Sequence, residues 1–474
     1  MTPLFGALRH IHFVGIGGVG MSGIAEVLLN LGHRVSGSDI VDGEATRRLA
    51  GLGATVHLGH DADAVTEAVD VVVMSSAAKF SNPEVLRARE LRIPVIPRAE
   101  MLAELMRMKT GIAVAGTHGK TTTTSLIATV LDHAGFDPTA VIGGRLLAFG
   151  WNAQLGRSDL MVAEADESDG TFLMLSPTIA VVTNIEREHL EHYGDLDKIR
   201  TAFVDFIHRV PFFGLAVVCL DDLVVRGMLS SLRKPVVTYG TSPEADYVVE
   251  SIEVDGMETR LSVCRAGEPP VPLAVPLPGR HQALNAVAAF AVARHLGATD
   301  EQIRDALRSF GGIHRRFEVC GEVDGVTVVS DYAHHPTEIR ATIGAAREGF
   351  DRRILVAFQP HRFTRLRDLF DDFLAAFDAA DELVLTDVYP AGEDPIEGIS
   401  AEALYQALRR RGHLDVAYAG AEDDLLAALV ERVRPGDLVL VLGAGTIYRL
   451  APRLVEAVRA RPTPGVRAVE VRGR

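Results

Sequence analysis

The sequence predicts an α/β protein of three domains, on three observations. Short apolar runs rich in Val, Ile and Leu alternate with longer segments of helical periodicity, as in α/β units built around mostly parallel sheets. These runs are too numerous for one sheet of usual size. The pattern breaks near residues 101–109 and again near residues 311–317. We therefore expect domains at residues 1–106, 107–314 and 315–474.

The predicted strands are apolar runs that end in turn-forming residues. In chain order they are IHFVGI, DVVVMSS, GIAVAG, DLMVAEA, IAVVTNI, LAVVCL, VTVVSDY, RILVAF, ELVLTDV and DLVLVLGAG. Residues 236–276 differ, because alternating segments and a Pro-rich stretch replace the continuous apolar runs. That region predicts an antiparallel patch on the central domain.

Composition excludes several classes of protein. Hydrophobic residues make up 47% of the 474 positions and charged residues 23%, as in an ordinary soluble globular protein. The net charge is −15 and no long basic run occurs, so we expect no nucleic-acid partner. No uninterrupted apolar stretch reaches 18 residues, so we expect no membrane span. Three scattered cysteines (Cys219, Cys264, Cys320) are typical of reduced thiols in a cytoplasmic protein.

The first glycine-rich loop, residues 15–20, satisfies G-x-G-x-x-G between a predicted strand and a helix over residues 21–31. Asp39 ends the next strand about twenty residues on, where an acid that binds a ribose is expected. The loop predicts a Rossmann-like N-terminal domain that binds a pyrophosphate at a helix N-terminus. NAD, FAD and UDP-sugars all carry that group, and a turn that serves only packing is the alternative.

A second loop, GTHGKT at residues 116–121, follows the strand GIAVA and precedes an apolar helix. It departs from G-x-x-x-x-G-K-[ST] because Val114 stands where the first glycine belongs. Its backbone amides are still suited to surround phosphate oxygens, Lys120 adds a positive charge, and the Thr121 hydroxyl is placed to bind Mg²⁺. The shorter loop therefore predicts ATP binding, whereas a merely polar helix start would need no Gly-Lys pair.

Acids and histidines follow the next two strands of the central region. VAEADESDG (residues 162–170) carries four carboxylates, one of them Glu164, and TNIEREHLEHYGD (residues 183–195) offers His189 and His192. Ligands bind at the carboxyl ends of strands in α/β sheets, and phosphoryl transfer needs metal ligands. These clusters predict a metal site, although solvated loops and helix caps are also rich in such residues.

Two more polar clusters, SDYAHHPTEI and FQPHRFTR, follow strands of the third domain. Their side chains are suited to bind a ribose and an anionic substrate: Asp331, His334, His335, His361, Arg362 and Arg365. The sequence has no G-x-S-x-G elbow and no Cys/His zinc spacing. Chemistry is therefore expected to depend on positioning and electrostatics without a covalent enzyme nucleophile.

Together these motifs resemble one family over essentially the whole chain. GTHGKTTTT, EADESD, NIEREHLEHYGD, GRHQALNAVAA, RRFE, DYAHHPTEI and FQPHRFTR stand in the order found in the Mur ligases, the ATP-dependent amino-acid ligases of peptidoglycan assembly. The opening GIGGVGMSGIAEVL is similar to the branch that adds the first amino acid.

The resemblance implies a Rossmann-like N-terminal domain for a UDP-sugar, a central P-loop ATPase-type α/β domain, and a Rossmann-like C-terminal domain for an amino acid. The implied enzyme joins L-alanine to the lactoyl carboxylate of UDP-N-acetylmuramate through an acyl phosphate and releases ADP and phosphate. Its implied ligands are small molecules (UDP-N-acetylmuramate, L-alanine and ATP) with Mg²⁺ or Mn²⁺. The implied assembly is a monomer or homodimer in the cytoplasm.

The resemblance also implies roles for residues that match the motifs. Those implied for ATP are Gly116, Thr117, His118, Gly119, Lys120, Thr121, Thr122, His281, Asn285, Arg316 and Asp331. Those implied for the UDP-sugar are Gly15, Gly17, Gly18, Gly20, Met21, Ser22, Asp39 and Ser76. Metal ligands would be Thr121, Glu164 and His189. Catalytic residues would be Lys120, Glu164, His189, His334 and Arg362, with Arg362 and Arg365 on a substrate carboxylate.

The sequence departs from the family at two places. Gln282 stands where the family usually has Asn, and RTAFVDF (residues 200–206) lacks the lysine that is carbamylated in several sister ligases.

Three alternative functions remain. An NAD-dependent oxidoreductase would explain the first loop alone, and a nucleotide-gated switch would explain the second alone. A recycling ligase that adds a tripeptide to the same UDP-sugar is the closest alternative.

Overall fold

The computed structural model describes residues 9–75, 77–144, 153–412 and 415–461, and these residues form three β-sheets. The chain divides into two compact units. One is built chiefly from residues up to His314 and contains the first two sheets, and the other is built chiefly from Arg315 onward and contains the third. The predicted α/β class is confirmed.

The first sheet is parallel throughout and has the order β3-β2-β1-β4-β5 in the described residues. Its strands are β1 His10–Val14, β2 Arg34–Asp39, β3 Thr55–Leu58, β4 Val71–Met74 and β5 Val95–Pro97. Its helices are α1 Val19–Asn30, α2 Glu44–Gly51, α3 Pro83–Glu90 and α4 Arg98–Met106. Because β2 and β4 flank β1 on opposite sides, the strand order reverses beside β1, where α/β sheets open a ligand crevice.

The second sheet has the order β15-β14-β13-β12-β11-β10-β6-β9-β7-β8 in the described residues. Its strands are β6 Thr110–Ala115, β7 Thr139–Val141, β8 Ala153–Gln154, β9 Leu160–Glu164, β10 Ile179–Val182, β11 Leu215–Cys219, β12 Val236–Gly240, β13 Tyr247–Asp255, β14 Glu258–Arg265 and β15 Val271–Val275. Its helices are α5 Lys120–His133, α6 Leu190–Tyr193, α7 Leu196–His208, α8 Leu223–Met228, α9 Arg280–His295 and α10 Asp300–Arg308. β10 and β11 are buried along their whole length, as expected for apolar runs covered on both faces.

The antiparallel patch predicted for residues 236–276 is only partly correct. β14 and β15 do pair antiparallel, but β12 pairs parallel with both β11 and β13. Alternation of apolar and polar residues reports that one face of a strand is exposed, and it does not report the direction of the neighbouring strand. β12 extends the parallel sheet although it is less buried than β11.

The third sheet has the order β16-β17-β21-β18-β19-β20 in the described residues, and only the β16–β17 pair is antiparallel there. Its strands are β16 Glu318–Val323, β17 Val326–Asp331, β18 Ile354–Phe358, β19 Glu382–Leu385, β20 Asp415–Tyr418 and β21 Leu438–Leu442. Its helices are α11 Pro336–Gly349, α12 Phe363–Asp368, α13 Phe370–Leu374, α14 Ala401–Arg410, α15 Glu422–Arg432 and α16 Leu450–Arg459.

Every strand run predicted from the sequence contains a strand. The three cysteines are unpaired, as the sequence predicted. Within the described residues, no helix combines the length and the apolar character that a membrane crossing requires.

An aromatic cluster lies under the acidic loop that follows β9. The rings of Phe172 and Phe206 are stacked with centroids 5.1 Å apart, and Phe203 tilts against Phe172 at 5.3 Å. All three side chains are buried. The cluster therefore holds the loop after β9 against α7.

We predict that Phe206→Ala lowers the free energy of unfolding by about 3–5 kcal/mol, because it leaves a cavity in this cluster. Urea denaturation followed by circular dichroism measures the change. The control is Phe212→Ala, since the Phe212 side chain is 86% exposed and its loss should change stability by less than about 0.5 kcal/mol. Equal effects of the two substitutions would contradict this account of the core.

Candidate functional site

The second glycine loop connects the carboxyl end of β6 to the start of α5. Gly116 has φ +140°, and a Cβ atom there would lie 2.0 Å from Thr183 Oγ1, so only glycine fits. Gly119 is the N-cap of α5 in a left-handed conformation, and Lys120 is the first helical residue. The loop therefore places main-chain N–H groups and a lysine at a helix N-terminus, which is a favourable site for an anion.

Residues that follow β10 fix the shape of this loop. Thr183 Oγ1 and Asn184 Nδ2 donate to the carbonyl of His118 at 2.6 and 3.0 Å. Asn184 Oδ1 accepts the N–H of His118 at 2.8 Å. The Thr117 hydroxyl accepts the N–H of Glu186 at 2.9 Å, and His118 Nε2 lies 3.6 Å from the Glu186 carboxylate. Neither Asn184 nor Glu186 was predicted as a site residue, and their only signal was their place in the TNIEREH segment.

Lys120 folds back onto its own loop and onto the acidic run after β9. Its Nζ donates to the carbonyls of Gly116 and Thr117 at 2.6 and 3.1 Å and to Glu167 Oε1 at 2.9 Å. Burial by itself would lower the pKa of Lys120, but the negative charges of Glu167 and Asp166 outweigh it and raise the pKa. The ammonium group is therefore charged, and it is held by acceptors of its own loop and by the acidic run after β9.

The sequence did not distinguish Glu167 from the other carboxylates of the acidic run at residues 162–170. Glu167 is only 3% exposed, and burial raises its pKa to about 7 against the lowering effect of Lys120. The Tyr193 hydroxyl donates to the main-chain carbonyl oxygen of Glu167 at 2.5 Å. Only the fold shows that Glu167, among the four carboxylates of the run, is the direct partner of Lys120.

The structure brings together Thr121 and Glu164, two of the residues that the family resemblance implies as metal ligands. The Thr121 hydroxyl donates to Glu164 Oε2 at 2.8 Å, and the same oxygen accepts the N–H of Gly143 at 3.0 Å. Carboxylate and hydroxyl oxygens at this spacing fit the hard ligands that Mg²⁺ prefers. His189 is the N-cap of α6, with φ +54°, and its Nδ1 lies 3.8 Å from the Glu191 carboxylate. The segment that carries His189 follows β10, which is adjacent and parallel to β6, and β9 pairs parallel with β6 on its other side.

Asn285, predicted to lie on the adenine side, contacts the helix of the phosphate loop. Its Oδ1 accepts the Thr123 hydroxyl at 3.1 Å, and its Nδ2 donates to Gln282 Oε1 at 3.0 Å. Both amides are buried on α9. Gln282, which departs from the family pattern, thus orients Asn285. Thr122 is buried in α5, and His281 lies in the first turn of α9.

The first glycine loop is held by the ends of β2 and β4. Gly15 has φ +81°, and a Cβ atom there would lie 2.8 Å from Ser75 Oγ. The N–H of Gly17 donates to Asp39 Oδ2 at 2.8 Å. Gly18 is the N-cap of α1. The loop therefore meets a helix N-terminus, as the motif predicted.

The remaining residues predicted for the UDP-sugar lie around this helix start. A Cβ atom on Gly20 would lie 2.7 Å from a guanidinium nitrogen of Arg98, a residue that sequence reasoning did not select. Arg98 also lies 3.3 Å from the Asp166 carboxylate. Met21 and Ser22 are buried in the first turn of α1. Ser76 lies outside the described residues.

In the second compact unit, polar side chains gather at the carboxyl ends of β17 and β18. The Asp331 carboxylate accepts the N–H groups of Phe317 and Ala333, each at 2.7 Å, and burial raises its pKa. His334 Nδ1 lies 3.2 Å from the Glu338 carboxylate. Arg316 Nη1 lies 3.6 Å from the same carboxylate. The structure thus brings Arg316, Asp331 and His334 into one cluster.

The FQPHRFTR segment adds further cations to the same unit. His361 Nδ1 lies 3.1 Å from Arg365 Nη1, and the His361 ring stacks on Tyr389 with centroids 5.5 Å apart. Burial and the positive charges of His334 and Arg365 lower the pKa of His361 to about 3. His361 is therefore neutral beside the arginines. Arg362 has φ +69°, and its main-chain N–H donates to the carbonyl of Tyr389 at 2.9 Å, so its strained backbone is held by a neighbouring segment. Its guanidinium lies 4.0 Å from the Glu393 carboxylate.

Arg315 was missed although it stands next to Arg316 in the sequence. Its guanidinium lies 4.7 Å from the Tyr332 ring centroid and 4.4 Å from the Tyr448 ring centroid. It donates to the carbonyl of Gly443 at 2.6 Å, and burial lowers its pKa. Two neighbouring arginines therefore have different positions, which the motif RRFE does not distinguish.

Models of three Mur ligase domains match consecutive parts of this chain. The model described as Mur ligase family, catalytic domain matches residues 10–110, and the Mur ligase middle domain matches residues 114–293. The model described as Mur ligase, glutamate ligase domain matches residues 315–445.

Curated relatives and solved structures agree with this match. The UDP-N-acetylmuramate–L-alanine ligase of Anaeromyxobacter dehalogenans is 57% identical over 445 residues, which cover 94% of this chain and 97% of that protein. The protein of the same name from Geotalea daltonii is 54% identical and covers 97% of this chain and 100% of that protein.

A UDP-N-acetylmuramate-alanine ligase from Thermotoga maritima has a similar structure, with a TM-score of 0.81 at 32% identity over 95% of this chain and 99% of that chain. A murein peptide ligase from Psychrobacter arcticus gives a TM-score of 0.70 at 26% identity over 96% of this chain and 100% of that chain. Because the domain models and these relatives span nearly the whole chain, this chain belongs to the Mur ligase family.

Proposed function

We infer that this enzyme is an ATP-dependent ligase that joins L-alanine to the lactoyl carboxylate of UDP-N-acetylmuramate in peptidoglycan synthesis. The observation that carries this inference is the identity of 54–57% over nearly the whole chain with ligases of that name. The carboxylate attacks the γ-phosphorus of ATP, and ADP leaves. The amine of alanine then attacks the carbonyl carbon of the acyl phosphate, phosphate leaves, and the amine proton is lost.

We propose that the loop at residues 116–121 binds the triphosphate of ATP. The contacts of Lys120 support this role, because its ammonium group is charged and bound to Glu167 and to loop carbonyls. On binding, phosphate oxygens would replace some of these partners. The family resemblance supports further contacts to ATP from Thr122, His281, Asn285, Arg316 and Asp331.

We propose that Thr121, Glu164 and His189 hold Mg²⁺, with Mn²⁺ as an alternative ion. The metal would supply positive charge to the phosphate oxygens as they develop negative charge. The contact between Thr121 and Glu164 at 2.8 Å supports this assignment. The protein's own contribution is to orient these oxygens, since β9 fixes Glu164 and α5 fixes Thr121.

The C-terminal unit is proposed to bind the amino acid. Arg362 and Arg365 would bind its carboxylate, for which a planar guanidinium with paired donors is well suited. His334, which shares the Glu338 carboxylate with Arg316, is proposed as a catalytic residue. The neutral ring of His361 would hold Arg365 in place without adding a repelling charge.

The first glycine loop is proposed to bind the pyrophosphate of the UDP-sugar. Its residues are Gly15, Gly17, Gly18, Gly20, Met21 and Ser22, with Asp39 and Ser76 assigned to the same ligand. We further propose domain limits of 1–106, 107–314 and 315–474, a cytoplasmic location, and a monomeric or homodimeric enzyme.

We predict that phosphate release from ATP in the presence of UDP-N-acetylmuramate is stimulated most strongly by L-alanine. Release is measured with each amino acid and with the tripeptide of peptidoglycan as acceptor. Greater stimulation by the tripeptide would favour a peptide-adding ligase. NADH binding without any ATP turnover would instead favour an oxidoreductase.

Lys120→Ala should lower kcat by about 100-fold or more, because it removes the charge that faces the triphosphate. Steady-state phosphate release measures the change. Lys198→Ala is the control, since Lys198 is an exposed lysine on α7 that pairs only loosely with Asp195 at 3.6 Å. Near-normal turnover in Lys120→Ala would refute the assignment of the loop.

The contribution of the neutral His361 ring to the free energy of unfolding should be lost as the pH falls. Its pKa is about 3 in the folded protein and near 6.5 when unfolded, so the unfolded chain takes up the proton first. The contribution is full above pH ~6.5 and declines below it. We therefore expect the melting temperature of the wild type to fall relative to that of His361→Gln between pH 7 and pH ~5. A constant difference over that range would contradict the neutral state of His361.

A further inference from the structure

A carboxylate on α3 and an imidazole on β1 are completely buried next to each other in the first compact unit. Glu84, in the first turn of α3, and His12, in β1, are each 0% exposed. Burying charged groups costs several kcal/mol unless they are paired, and replacing such a pair by apolar residues is often neutral or stabilising. Stability of the fold is therefore a weak explanation for Glu84.

Three donors from different elements converge on the Glu84 carboxylate. Ser38 Oγ donates to Oε2 at 2.6 Å, His12 Nε2 lies 3.5 Å from the same oxygen, and the N–H of Asp61 donates to Oε1 at 3.2 Å. Burial would raise the pKa of Glu84, but the hydrogen bonds from His12 and Ser38 outweigh it and lower the pKa. A single ionised carboxylate thus ties β1, β2 and the segment after β3 to α3.

Ser38 connects this carboxylate to the first glycine loop. Its main-chain carbonyl accepts the N–H groups of both Gly15 and Ile16, at 2.8 and 2.9 Å. The next residue, Asp39, accepts the N–H of Gly17 at 2.8 Å. Three consecutive N–H groups of the loop are therefore bonded to the last two residues of β2.

The side chain of Ser38 has no freedom to move independently of Glu84. Its hydroxyl hydrogen is directed to Glu84, and its oxygen accepts from His60 Nδ1 at 2.8 Å. Ser38 is 0% exposed, so water cannot replace either partner without opening the sheet. The position of the glycine loop is thus set by the end of β2, which is in turn fixed by Glu84.

We propose that Glu84 is a positioning residue for the UDP-sugar: through Ser38 it holds the loop at residues 15–17 in the conformation that receives the pyrophosphate. This inference rests on the proposed role of the first glycine loop. Glu84 does not touch the ligand, and its contribution is to reduce the reorganisation that the loop would otherwise undergo on binding. The same logic applies to residues that orient the ligands of a metal without contacting the metal.

The test is a double-mutant cycle on the full-length enzyme with Glu84→Gln, Ser38→Ala and the double variant. The dissociation constant of UDP-N-acetylmuramate is measured by calorimetry, and kcat is measured at saturating UDP-sugar. An amide presents a donor where Glu84 must accept, so we expect Glu84→Gln to raise the dissociation constant about tenfold. Ser38→Ala should have a similar effect, and the double variant should be no worse than either single variant. The KM for ATP and kcat should stay within about twofold of the wild type.

Glu26→Gln is the matched control. Glu26 is another buried glutamate of the same unit, but its carboxylate pairs with Arg48 at 2.6 and 3.0 Å on the face of α1. We expect this variant to lose stability without any change in the dissociation constant of the UDP-sugar. Melting temperatures of all variants are recorded, so that loss of folded protein is separated from loss of affinity.

An unchanged dissociation constant in folded Glu84→Gln would overturn the inference and leave Glu84 a purely structural residue. Additive effects of Glu84→Gln and Ser38→Ala on the dissociation constant would also overturn it, because they would show that the two side chains affect UDP-sugar binding independently. If Glu84→Gln does not fold, an unchanged dissociation constant in Ser38→Ala has the same consequence. Failure of the wild type to bind UDP-N-acetylmuramate would instead contradict the proposed function itself.

Discussion

The ammonium group of Lys120 is largely removed from water, and a buried charge is stable only where opposite charge and hydrogen bonds replace its hydration. Glu167 and the loop carbonyls of Gly116 and Thr117 supply that replacement. The acidic run after β9 must therefore reach the loop after β6. The order of the second sheet satisfies this requirement, because β6 lies between β9 and β10 and parallel strands end at the same edge.

The two glycine loops of the first unit are both proposed to bind phosphate groups, and they differ in charge and in the contacts that hold their backbones. The loop at residues 116–121 carries a lysine that is bound to the Glu167 carboxylate, and a phosphate of the proposed nucleotide would take the place of that carboxylate. The loop at residues 15–20 carries no charged side chain, and the N–H groups of residues 15–17 are bonded to the end of β2. In the binding proposed here, the loop at residues 15–20 would rely on the rigidity of its backbone, and the loop at residues 116–121 would add the positive charge of Lys120.

Local patterns predicted much of this arrangement. Apolar runs identified the buried parallel strands, because a strand covered on both faces needs an apolar side chain at nearly every position. Glycine residues marked both loops, and the structure shows Gly15, Gly116 and Gly119 at positive φ, where other residues are strained. The antiparallel patch was partly wrong because β12 joins the parallel sheet, and the alternation within a strand does not specify its neighbour. Glu167 and Asn184 were missed because nothing in their local sequence distinguishes them from adjacent polar residues.

The sequence by itself determined the α/β class, the two glycine loops and the segments that carry acids, histidines and arginines. These features depend on residues that are close together in the chain, where side-chain type and spacing act directly on the backbone. Only the tertiary structure decided which carboxylate pairs with Lys120, that Asn285 on α9 meets Thr123 on α5, and that Glu84 on α3 accepts from Ser38 at the end of β2. Each of those contacts joins residues from different elements, so it depends on the order in which strands assemble into a sheet.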